Sequence, residues 1–358
     1  MRCRYCFYRD EMEARQVGNY GMMTEATAEK LIEAVFAYDA SAVSFIFQGG
    51  EPTLAGLSFF RRFLALETQY NLRALPVYHA IQTNGLLVDD EWAAFFAENG
   101  FLVGLSVDGP APLHDAMRRD PNGEGTHAAV LRARACLARH SVPYNALCVV
   151  HAAVAEKGAE IYRWFQEQGF SHLQFIPCLA PLSGEGTDAP TNAQYADFLT
   201  AVFCEYYKDY FARRYISVRA FDNFIGILLG RPPEDCSMGG CCTAYFTVEA
   251  DGSVYPCDFY VLDEWRMGNL CGQSLEEMRR GAVMARFLST SAHTSEECRS
   301  CRWYALCRGG CRREREPFSE GEPALFRYCA AYRSFFEKCF PKMLEIAKDL
   351  QKSRFGEM

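Results

Sequence analysis

Apolar and polar residues alternate in blocks along the first half of the chain, and the blocks predict strands and helices in turn. Short apolar runs predict five strands, at about 43–47, 77–82, 102–107, 144–150 and 173–176. Amphipathic stretches with helical spacing predict helices at about 24–38, 58–70, 90–99, 126–139 and 156–168. Strands that alternate with helices are typical of an α/β fold built on a parallel sheet.

Polar or glycine-rich clusters follow three of these strands directly. They are Gln48-Gly49-Gly50-Glu51-Pro52, Thr83-Asn84-Gly85 and Asp108-Gly109-Pro110. Parallel α/β sheets bind their ligands at the carboxyl ends of the strands. We therefore expect these loops to form a binding site.

The pattern changes after about residue 190. Helical spacing continues at 192–210 and around 221–229, and a cysteine-rich segment follows. Within that segment Asp251-Gly252 stands between two short apolar runs, which predicts a β-hairpin, and 324–350 predicts a closing helix. The sequence therefore predicts three parts, at 1–190, 191–235 and 236–358.

Composition narrows the class of protein. The 358 residues carry a net charge of -8 with a pI near 5.5, which argues against a nucleic-acid partner. No apolar run reaches the roughly 18 residues of a membrane span, and the first residues do not resemble a signal peptide. We therefore expect no membrane partner and a cytoplasmic location, where seventeen cysteines indicate metal ligation more than disulfides.

The spacing of the C-terminal cysteines is the strongest signal of chemistry. Cys298, Cys301, Cys307 and Cys311 follow one another closely, and Cys329 follows after 17 intervening residues. Four further cysteines precede them: Cys236, Cys241, Cys242 and Cys257. The segment thus offers enough thiolates for two four-cysteine sites. Zinc is the alternative, but a zinc ribbon usually has two CxxC pairs and this segment has one, which favours iron–sulfur clusters.

A second CxxC lies near the N-terminus, in Cys3-Arg4-Tyr5-Cys6. A thioredoxin-like redox pair is one reading, but that motif should follow a strand. The glycines and carboxylate of Gly49-Gly50-Glu51-Pro52 favour another reading, because glycine lets backbone approach a ligand and a carboxylate can meet an ammonium group.

Taken together, these motifs resemble the radical S-adenosylmethionine enzymes with a C-terminal SPASM domain, over nearly the whole chain. The similarity is greatest to the anaerobic sulfatase-maturating enzymes, in the motifs Gln82-Thr83-Asn84-Gly85, Leu105-Ser106-Val107-Asp108-Gly109 and Tyr255-Pro256-Cys257-Asp258-Phe259-Tyr260. The resemblance implies an α/β fold: a partial (β/α)6 TIM-like barrel lacking its first strand, then a cysteine-rich SPASM domain with a β-hairpin and closing helices.

The resemblance also implies a function. Enzymes of this family oxidise a cysteine or serine of a sulfatase to formylglycine, using S-adenosylmethionine, one radical-generating 4Fe-4S cluster and two auxiliary 4Fe-4S clusters. The implied partners are a sulfatase polypeptide and an electron donor such as flavodoxin or ferredoxin. Two alternatives stay open: another SPASM peptide maturase that forms thioether or carbon–carbon crosslinks, and a non-catalytic iron–sulfur protein.

Roles for single residues follow by the same resemblance. Asp258 is the implied general base, and Tyr8 and Gln48 are candidates for contacts with the substrate. The implied cofactor-binding residues are Tyr5, Gly50, Glu51, Ser106, Arg118 and Leu179. The implied cluster ligands are Cys3 and Cys6 for the radical cluster, Cys236, Cys242, Cys257 and Cys311 for the first auxiliary cluster, and Cys298, Cys301, Cys307 and Cys329 for the second. Spacing alone does not choose between Cys241 and Cys242.

The sequence departs from the family pattern at one position. The family motif CxxxCxxC has a cysteine four residues before Cys3, which the given sequence does not contain, and its radical cluster uses three thiolates. A start codon assigned at an internal methionine is the favoured explanation, and a degenerate protein without activity is the other. The remaining cysteines are expected to be buried thiols: Cys136, Cys148, Cys178, Cys204, Cys271 and Cys339. The seven histidines are expected to have structural roles.

Overall fold

The structure, a computed structural model, describes residues 1–182, 188–316 and 323–355. Its centre is a parallel sheet of six strands in the order β1 to β6. The strands are β1 (Val43–Phe47), β2 (Val77–Thr83), β3 (Phe101–Ser106), β4 (Tyr144–Val150), β5 (His172–Pro177) and β6 (Ser217–Val218). The five predicted strands are confirmed to within a residue or two, and β6 lies in the segment predicted to be a helical connection.

Helices cover the sheet, as the alternating pattern predicted. Those of the first half are Phe7–Ala14, Glu25–Ala37, Gly56–Tyr70, Asp90–Glu98, Ala111–Met117, His127–Arg139, Ala152–Ala155 and Gly158–Glu167. Local signals fix several of their ends. Thr24 and Asp89 accept hydrogen bonds from backbone N–H groups of the first turns of the helices that follow them, which satisfies donors that have no partner inside a helix.

Two helices connect the sheet to the cysteine-rich half, Asn192–Phe211 and Arg219–Leu228. Thr191 and Gln194 form a capping box at the start of the first of them. The second leads from β6 to the short 3-10 helix Cys236–Met238, where the cysteine-rich segment begins.

The cysteine-rich half consists of short elements and one long helix. The helices are Leu275–Arg280, Ala282–Ser291, Glu296–Arg299, Tyr304–Cys307 and Cys329–Phe355, and short 3-10 turns lie at Asp258–Tyr260, Asp263–Trp265 and Arg312–Arg315. The predicted hairpin is confirmed at Thr247–Val248 and Ser253–Tyr255, and Gly268–Asn269 adds a third strand that the sequence pattern did not predict.

The closing helix differs from its prediction at both ends. It begins at Cys329 rather than at 324 and continues to Phe355. The residues before it are held by the Arg312–Arg315 turn, because Ala324 N–H donates to Arg315 C=O and Arg327 N–H donates to Glu314 C=O. These tertiary hydrogen bonds replace the helical ones that the local pattern predicted.

The long helix Cys329–Phe355 packs in parallel against the helix Asn192–Phe211. Asn192 bonds the backbone at its start, and Tyr210 O–H donates to Asp349 Oδ2 at 2.7 Å near its end. Buried side chains of the long helix, such as Phe335 and Phe336, belong to the same hydrophobic core as the side chains under the sheet. Burial of this continuous apolar surface joins the two halves of the molecule.

Candidate functional site

The N-terminal cysteines lie at the carboxyl edge of the sheet. Arg2–Cys3 pairs with Arg118–Arg119 in a short antiparallel ladder, and Cys6 N–H donates to Cys3 C=O at 3.3 Å. Burial raises the pKa of the Cys3 thiol, Arg118 lowers it, and Cys6 raises it. The two thiols are therefore neighbours, as the CxxC reading required.

A buried ion pair stands directly behind this loop. The guanidinium of Arg118 donates to Asp108 through Nε at 2.8 Å and Nη2 at 3.2 Å, and its Nη1 lies 4.0 Å from Cys3 Sγ. Asp108 is fully buried and also accepts hydrogen bonds from Tyr5 O–H and Val149 N–H. Arg118 and Tyr5 were predicted to bind cofactor, and here both are held by Asp108, a residue to which sequence reasoning gave no role.

The charge of Asp108 is maintained by its partners. Burial alone would raise the pKa of this carboxyl, but the charge of Arg118 and the hydrogen bonds from Arg118 and Tyr5 lower it. Asp108 therefore stays ionised and fixes the Cys3–Cys6 loop through Tyr5. His151 completes this group, with its ring stacked 6.1 Å from the ring of Tyr5.

The loop after β1 has the geometry that its glycines suggested. Gly49 and Gly50 have φ of +80° and +55°, a conformation that disfavours side chains. Glu51 accepts hydrogen bonds at Oε1 from Thr53 and Thr83, and at Oε2 from Asn84 N–H at 2.8 Å. A carboxylate offers about four lone-pair sites, so Oε2 retains capacity for an ammonium group. Ser106 ends β3 at the same edge.

A hydrogen bond joins this edge of the sheet to the cysteine-rich half. Gln48 Nε2 donates to Asp258 Oδ2 at 3.0 Å, across 210 residues of sequence. Asp258 directly follows Cys257, and Phe259 packs edge-on against Phe7 with ring centres 4.8 Å apart. Two residues predicted to act on the substrate are thus brought together.

Leu179 lies beside a cavity between the halves. The cavity measures about 210 Å³, and its lining residues are Leu179, Ala180, Arg313, Glu314, Glu316, Leu325 and Arg327. Arg313 Nη2 donates to Ala180 C=O at 3.2 Å and so holds the two sides together.

Glu11 is a buried acid near Asp258 that sequence reasoning missed. It is 4% exposed, and its Oε2 has no hydrogen-bond partner among the described residues. Burial, helped by the charge of Asp258, raises the pKa of Glu11 from 4.5 to about 8, against the opposing effect of a hydrogen bond from Val261 N–H. The sequence carried no signal for this, because an acid on a short helix is usually exposed.

Glu11 should make stability depend on pH. Between pH 4.5 and about 8 the unfolded chain holds an ionised Glu11 while the folded chain holds a protonated one, so unfolding releases a proton and stability falls as pH rises. We expect Glu11→Gln to melt at a higher temperature than the parent at pH 8 and at a similar temperature at pH 5, measured by circular dichroism. Glu13→Gln, an exposed glutamate of the same helix, is the matched control. Equal melting shifts for Glu11→Gln at both pH values would contradict the assignment.

Four cysteines influence one another electrostatically in the cysteine-rich half: Cys236, Cys242, Cys257 and Cys311. Burial raises the pKa of the Cys236 thiol, and the neighbouring thiol of Cys242 raises it further. Burial also raises the pKa of the Cys311 thiol, and the thiols of Cys236 and Cys242 raise it further. Cys311 likewise raises the pKa of Cys257, behind burial and Asp258. Cys241 is exposed beside this group.

A second group of cysteines lines one small cavity of about 10 Å³. The lining residues are Cys298, Cys301, Trp303, Tyr304, Cys307, Cys329, Tyr332, Arg333 and Phe336. Burial and the charges of the other three cysteines raise the pKa of Cys307 to about 11. Four thiols around one apolar cavity are the donor set that a cysteine-ligated iron–sulfur cluster uses. Among the described residues, no three His, Cys, Asp or Glu side chains converge as ligands of a single metal ion.

The remaining cysteines are only partly as predicted. Cys148, Cys178 and Cys339 are buried, and Cys136 and Cys204 are half-buried. Cys271 is exposed, so its prediction as a buried thiol is wrong. It lies in the tight turn after Gly268–Asn269, where its N–H donates to the Asn269 side chain, and this turn faces outward.

Comparison with known proteins agrees with the fold and the site. Residues 1–153 match the radical SAM superfamily, and residues 236–302 match the SPASM iron–sulfur cluster-binding domain. A parallel α/β sheet with paired cysteines at its carboxyl edge, followed by a cysteine-rich half, thus defines a radical S-adenosylmethionine protein with a SPASM domain.

Individual relatives define the family more narrowly. The chain is 40% identical over 354 residues to a cysteine-type anaerobic sulfatase-maturating enzyme of Clostridium perfringens, covering 98% of this chain and 96% of the relative. A serine-type anaerobic sulfatase-maturating enzyme of Bacteroides thetaiotaomicron is 31% identical, covering 98% and 89%. The chain belongs to the family of anaerobic sulfatase-maturating enzymes.

A solved structure shows the same architecture. The structure described as native anSMEcpe with bound AdoMet and Cp18Cys peptide matches with a TM-score of 0.92 at 40% identity, covering 98% of this chain and 96% of that chain. The predicted family, fold class and cofactors, S-adenosylmethionine and iron–sulfur clusters, are therefore confirmed, and the chain is a radical S-adenosylmethionine oxidoreductase. None of its described helices has the length and apolar character needed to cross a membrane.

Proposed function

We propose that this protein oxidises a cysteine of a sulfatase polypeptide to formylglycine. The hydrogen bond from Gln48 to Asp258 carries the proposal, because it places a carboxylate beside both a candidate cluster ligand, Cys257, and the ligand-binding edge of the sheet. The higher identity to cysteine-type than to serine-type relatives, 40% against 31%, supports cysteine as the residue oxidised.

In this proposal Asp258 is the general base. It takes the proton of the substrate thiol while a hydrogen atom leaves the adjacent carbon, and the carbon–sulfur unit becomes a thioaldehyde that water converts to the aldehyde with release of hydrogen sulfide. Gln48 orients Asp258 through its Nε2–H group. When bound, the cofactors supply the carbon radical that removes the hydrogen atom, and they carry away one electron.

The residues present fit the two auxiliary clusters. We assign Cys236, Cys242, Cys257 and Cys311 to the first, since the family resemblance implies this set and these thiols act on one another. Cys298, Cys301, Cys307 and Cys329 line a single cavity and would hold the second. Four thiolates leave no open iron, which suits electron transfer.

Among the described residues, Cys3 and Cys6 would supply two of the three thiolates of the radical cluster. The cofactor contacts proposed for S-adenosylmethionine are Tyr5, Gly50, Glu51, Ser106, Arg118 and Leu179, with Tyr8 and Gln48 toward the substrate. The seventeen cysteines support a location in the reducing cytoplasm. A low-potential flavodoxin or ferredoxin would supply the electrons.

A peptide assay tests the proposal. The chain, extended so that a cysteine stands four residues before Cys3, is incubated anaerobically with reductant, S-adenosylmethionine and a sulfatase-derived peptide that carries cysteine or serine at the target position. We expect mass spectrometry to show conversion of the cysteine peptide to the aldehyde, at a higher rate than the serine peptide. No aldehyde from either peptide, in a protein whose clusters are loaded, would refute the proposal.

The alternative of a crosslinking peptide maturase has weaker support. SuiB of Streptococcus suis matches at 15% identity with a TM-score of 0.60, which shows a shared fold alone. Crosslinked product without aldehyde in the same assay would favour that alternative.

A further inference from the structure

Arg315 is a buried cation with no carboxylate partner among the described residues. It is 5% exposed, and it ends the Arg312–Arg315 turn that follows Cys311. Its Nη1 donates to His293 C=O at 2.9 Å and its Nη2 donates to Ser291 C=O at 2.8 Å. No carboxylate of the described residues forms an ion pair with it.

The neighbouring Arg312 shows how this fold otherwise treats a buried guanidinium. Arg312 is 2% exposed, and its Nη1 lies 2.7 Å from Glu316 Oε1. It also stands against the rings of Tyr260, Trp265 and Phe287, at 4.5, 4.8 and 5.1 Å from their centres. Arg312 therefore has both a counter-charge and cation–π contacts.

The contacts of Arg315 offset its charge only in part. The carbonyls that it binds lie at the C-terminal end of the helix Ala282–Ser291, where the helix dipole supplies about half a negative charge. A buried charge without a counter-ion is strongly unfavourable. Among the described residues, Arg315 thus has no full counter-charge besides this partial one.

The first cysteine group lies within reach of this cation. Ser291, whose C=O accepts from Arg315, also accepts a hydrogen bond at Oγ from Cys242 N–H at 2.9 Å. The backbone of Cys242 and the guanidinium of Arg315 thus bind the same serine, at its Oγ and at its C=O. Ser291 therefore connects the guanidinium to a cysteine proposed as a cluster ligand.

The other side of the same group is acidic. Asp235 directly precedes Cys236, and Glu314 lies three residues after Cys311. Asp258 directly follows Cys257 and accepts a hydrogen bond from its thiol at 3.3 Å. The group thus has a cationic face at Cys242 and an acidic face toward Asp258 and the proposed substrate position.

We infer that Arg315 is the counter-charge of the first auxiliary cluster and raises its reduction potential. The inference rests on the ligand set proposed above, Cys236, Cys242, Cys257 and Cys311. A four-thiolate cluster becomes more negative when it takes up one electron, and cluster potentials follow local charge and burial. A fixed cation in a low-dielectric environment stabilises the reduced form. Arg315 acts on the charge of the cluster and not on the substrate. It thereby makes the cluster a better electron acceptor.

Potentiometry of the reconstituted 358-residue chain tests this, and the readout needs neither substrate nor the radical cluster. Each auxiliary cluster is followed by its own EPR signal during anaerobic reduction. At the midpoint potential of the parent, we expect Arg315→Gln to lower the ratio of reduced to oxidised first cluster at least tenfold, a shift of about 59 mV for one electron. The second cluster should not shift.

Two further variants separate charge from packing. Arg315→Lys keeps the charge and should hold the ratio within about threefold of the parent by the same scale. Arg299→Gln removes an equal charge from an exposed position next to Cys298 and should leave the first cluster unchanged. An unchanged first-cluster potential in a loaded Arg315→Gln protein overturns the inference.

Loss of the cluster is also informative. If Arg315→Gln fails to load the first site, Arg315→Lys decides: loading with the parental potential supports the role of charge, and equal loss overturns it. A parent chain that holds no cluster at these four cysteines overturns the ligand set, and the inference with it, whereas a loaded parent with an unshifted variant overturns the inference alone.

Discussion

Asp258→Asn should lower the rate of aldehyde formation by about 10²- to 10⁴-fold, the range that a positioned general base contributes. Asparagine keeps the size of the side chain and can still bond Gln48, but it does not accept the thiol proton. Cleavage of S-adenosylmethionine should continue, so 5′-deoxyadenosine should accumulate without a matching amount of aldehyde. Chromatography of both products in one anaerobic reaction measures this uncoupling.

The control for this variant lies five residues further on. Asp263→Asn changes an aspartate of the neighbouring turn that accepts a hydrogen bond from Gln16 N–H, and it should retain parental activity. If Asp258→Asn formed aldehyde at the parental rate with its clusters loaded, Asp258 would not be the base. A loss of both aldehyde and 5′-deoxyadenosine would instead indicate damage to cofactor binding.

Asp108→Asn should cause the largest loss of stability among single substitutions of the site. The change leaves the guanidinium of Arg118 buried without its counter-charge, and breaking a buried pair in this way costs about 3–5 kcal/mol. It also weakens the hydrogen bond from Tyr5, so the Cys3–Cys6 loop should become more accessible. Thermal unfolding measures the first effect, and the rate of Cys3 alkylation in the apoprotein measures the second.

An exposed pair provides the comparison. Asp90 bonds Arg139 at 2.7 Å with both side chains more than half exposed, so Asp90→Asn should cost at most about 1 kcal/mol. Equal melting temperatures for Asp108→Asn and Asp90→Asn would contradict the role given to the buried pair. The pKa of Asp108 is lowered in the fold, so the stability it contributes is present above the ordinary pKa of an aspartate and is lost as pH falls below it.

Local pattern was enough to predict most of the sheet. Each of β1 to β5 is a short apolar run between polar clusters, and such runs have few alternative structures. The strand β6, Ser217–Val218, has two residues, too few to show any periodicity. Its place beside β5 comes from the helices on either side of it.

The sequence identified the residues that carry the chemistry better than it identified the residues that hold them in place. The spacing of the cysteines predicted the cluster sites, and the family resemblance identified Gln48 and Asp258. The pairing of Asp108 with Arg118 and the burial of Glu11 and Arg315 have no local signal, because a charged residue is buried only by partners distant in sequence. The misplaced start of the closing helix has the same origin, since hydrogen bonds to the Arg312–Arg315 turn hold the chain before Cys329.

Transfer of deuterium tests the central claim most directly. A sulfatase-derived peptide with deuterium on the β-carbon of the target cysteine is incubated with the loaded enzyme, reductant and S-adenosylmethionine, and the 5′-deoxyadenosine is analysed by mass spectrometry. Oxidation of that carbon by hydrogen-atom removal predicts deuterium in 5′-deoxyadenosine, in proportion to the aldehyde formed. Aldehyde formation without deuterium in 5′-deoxyadenosine, or deuterium transfer that never yields aldehyde, would contradict it.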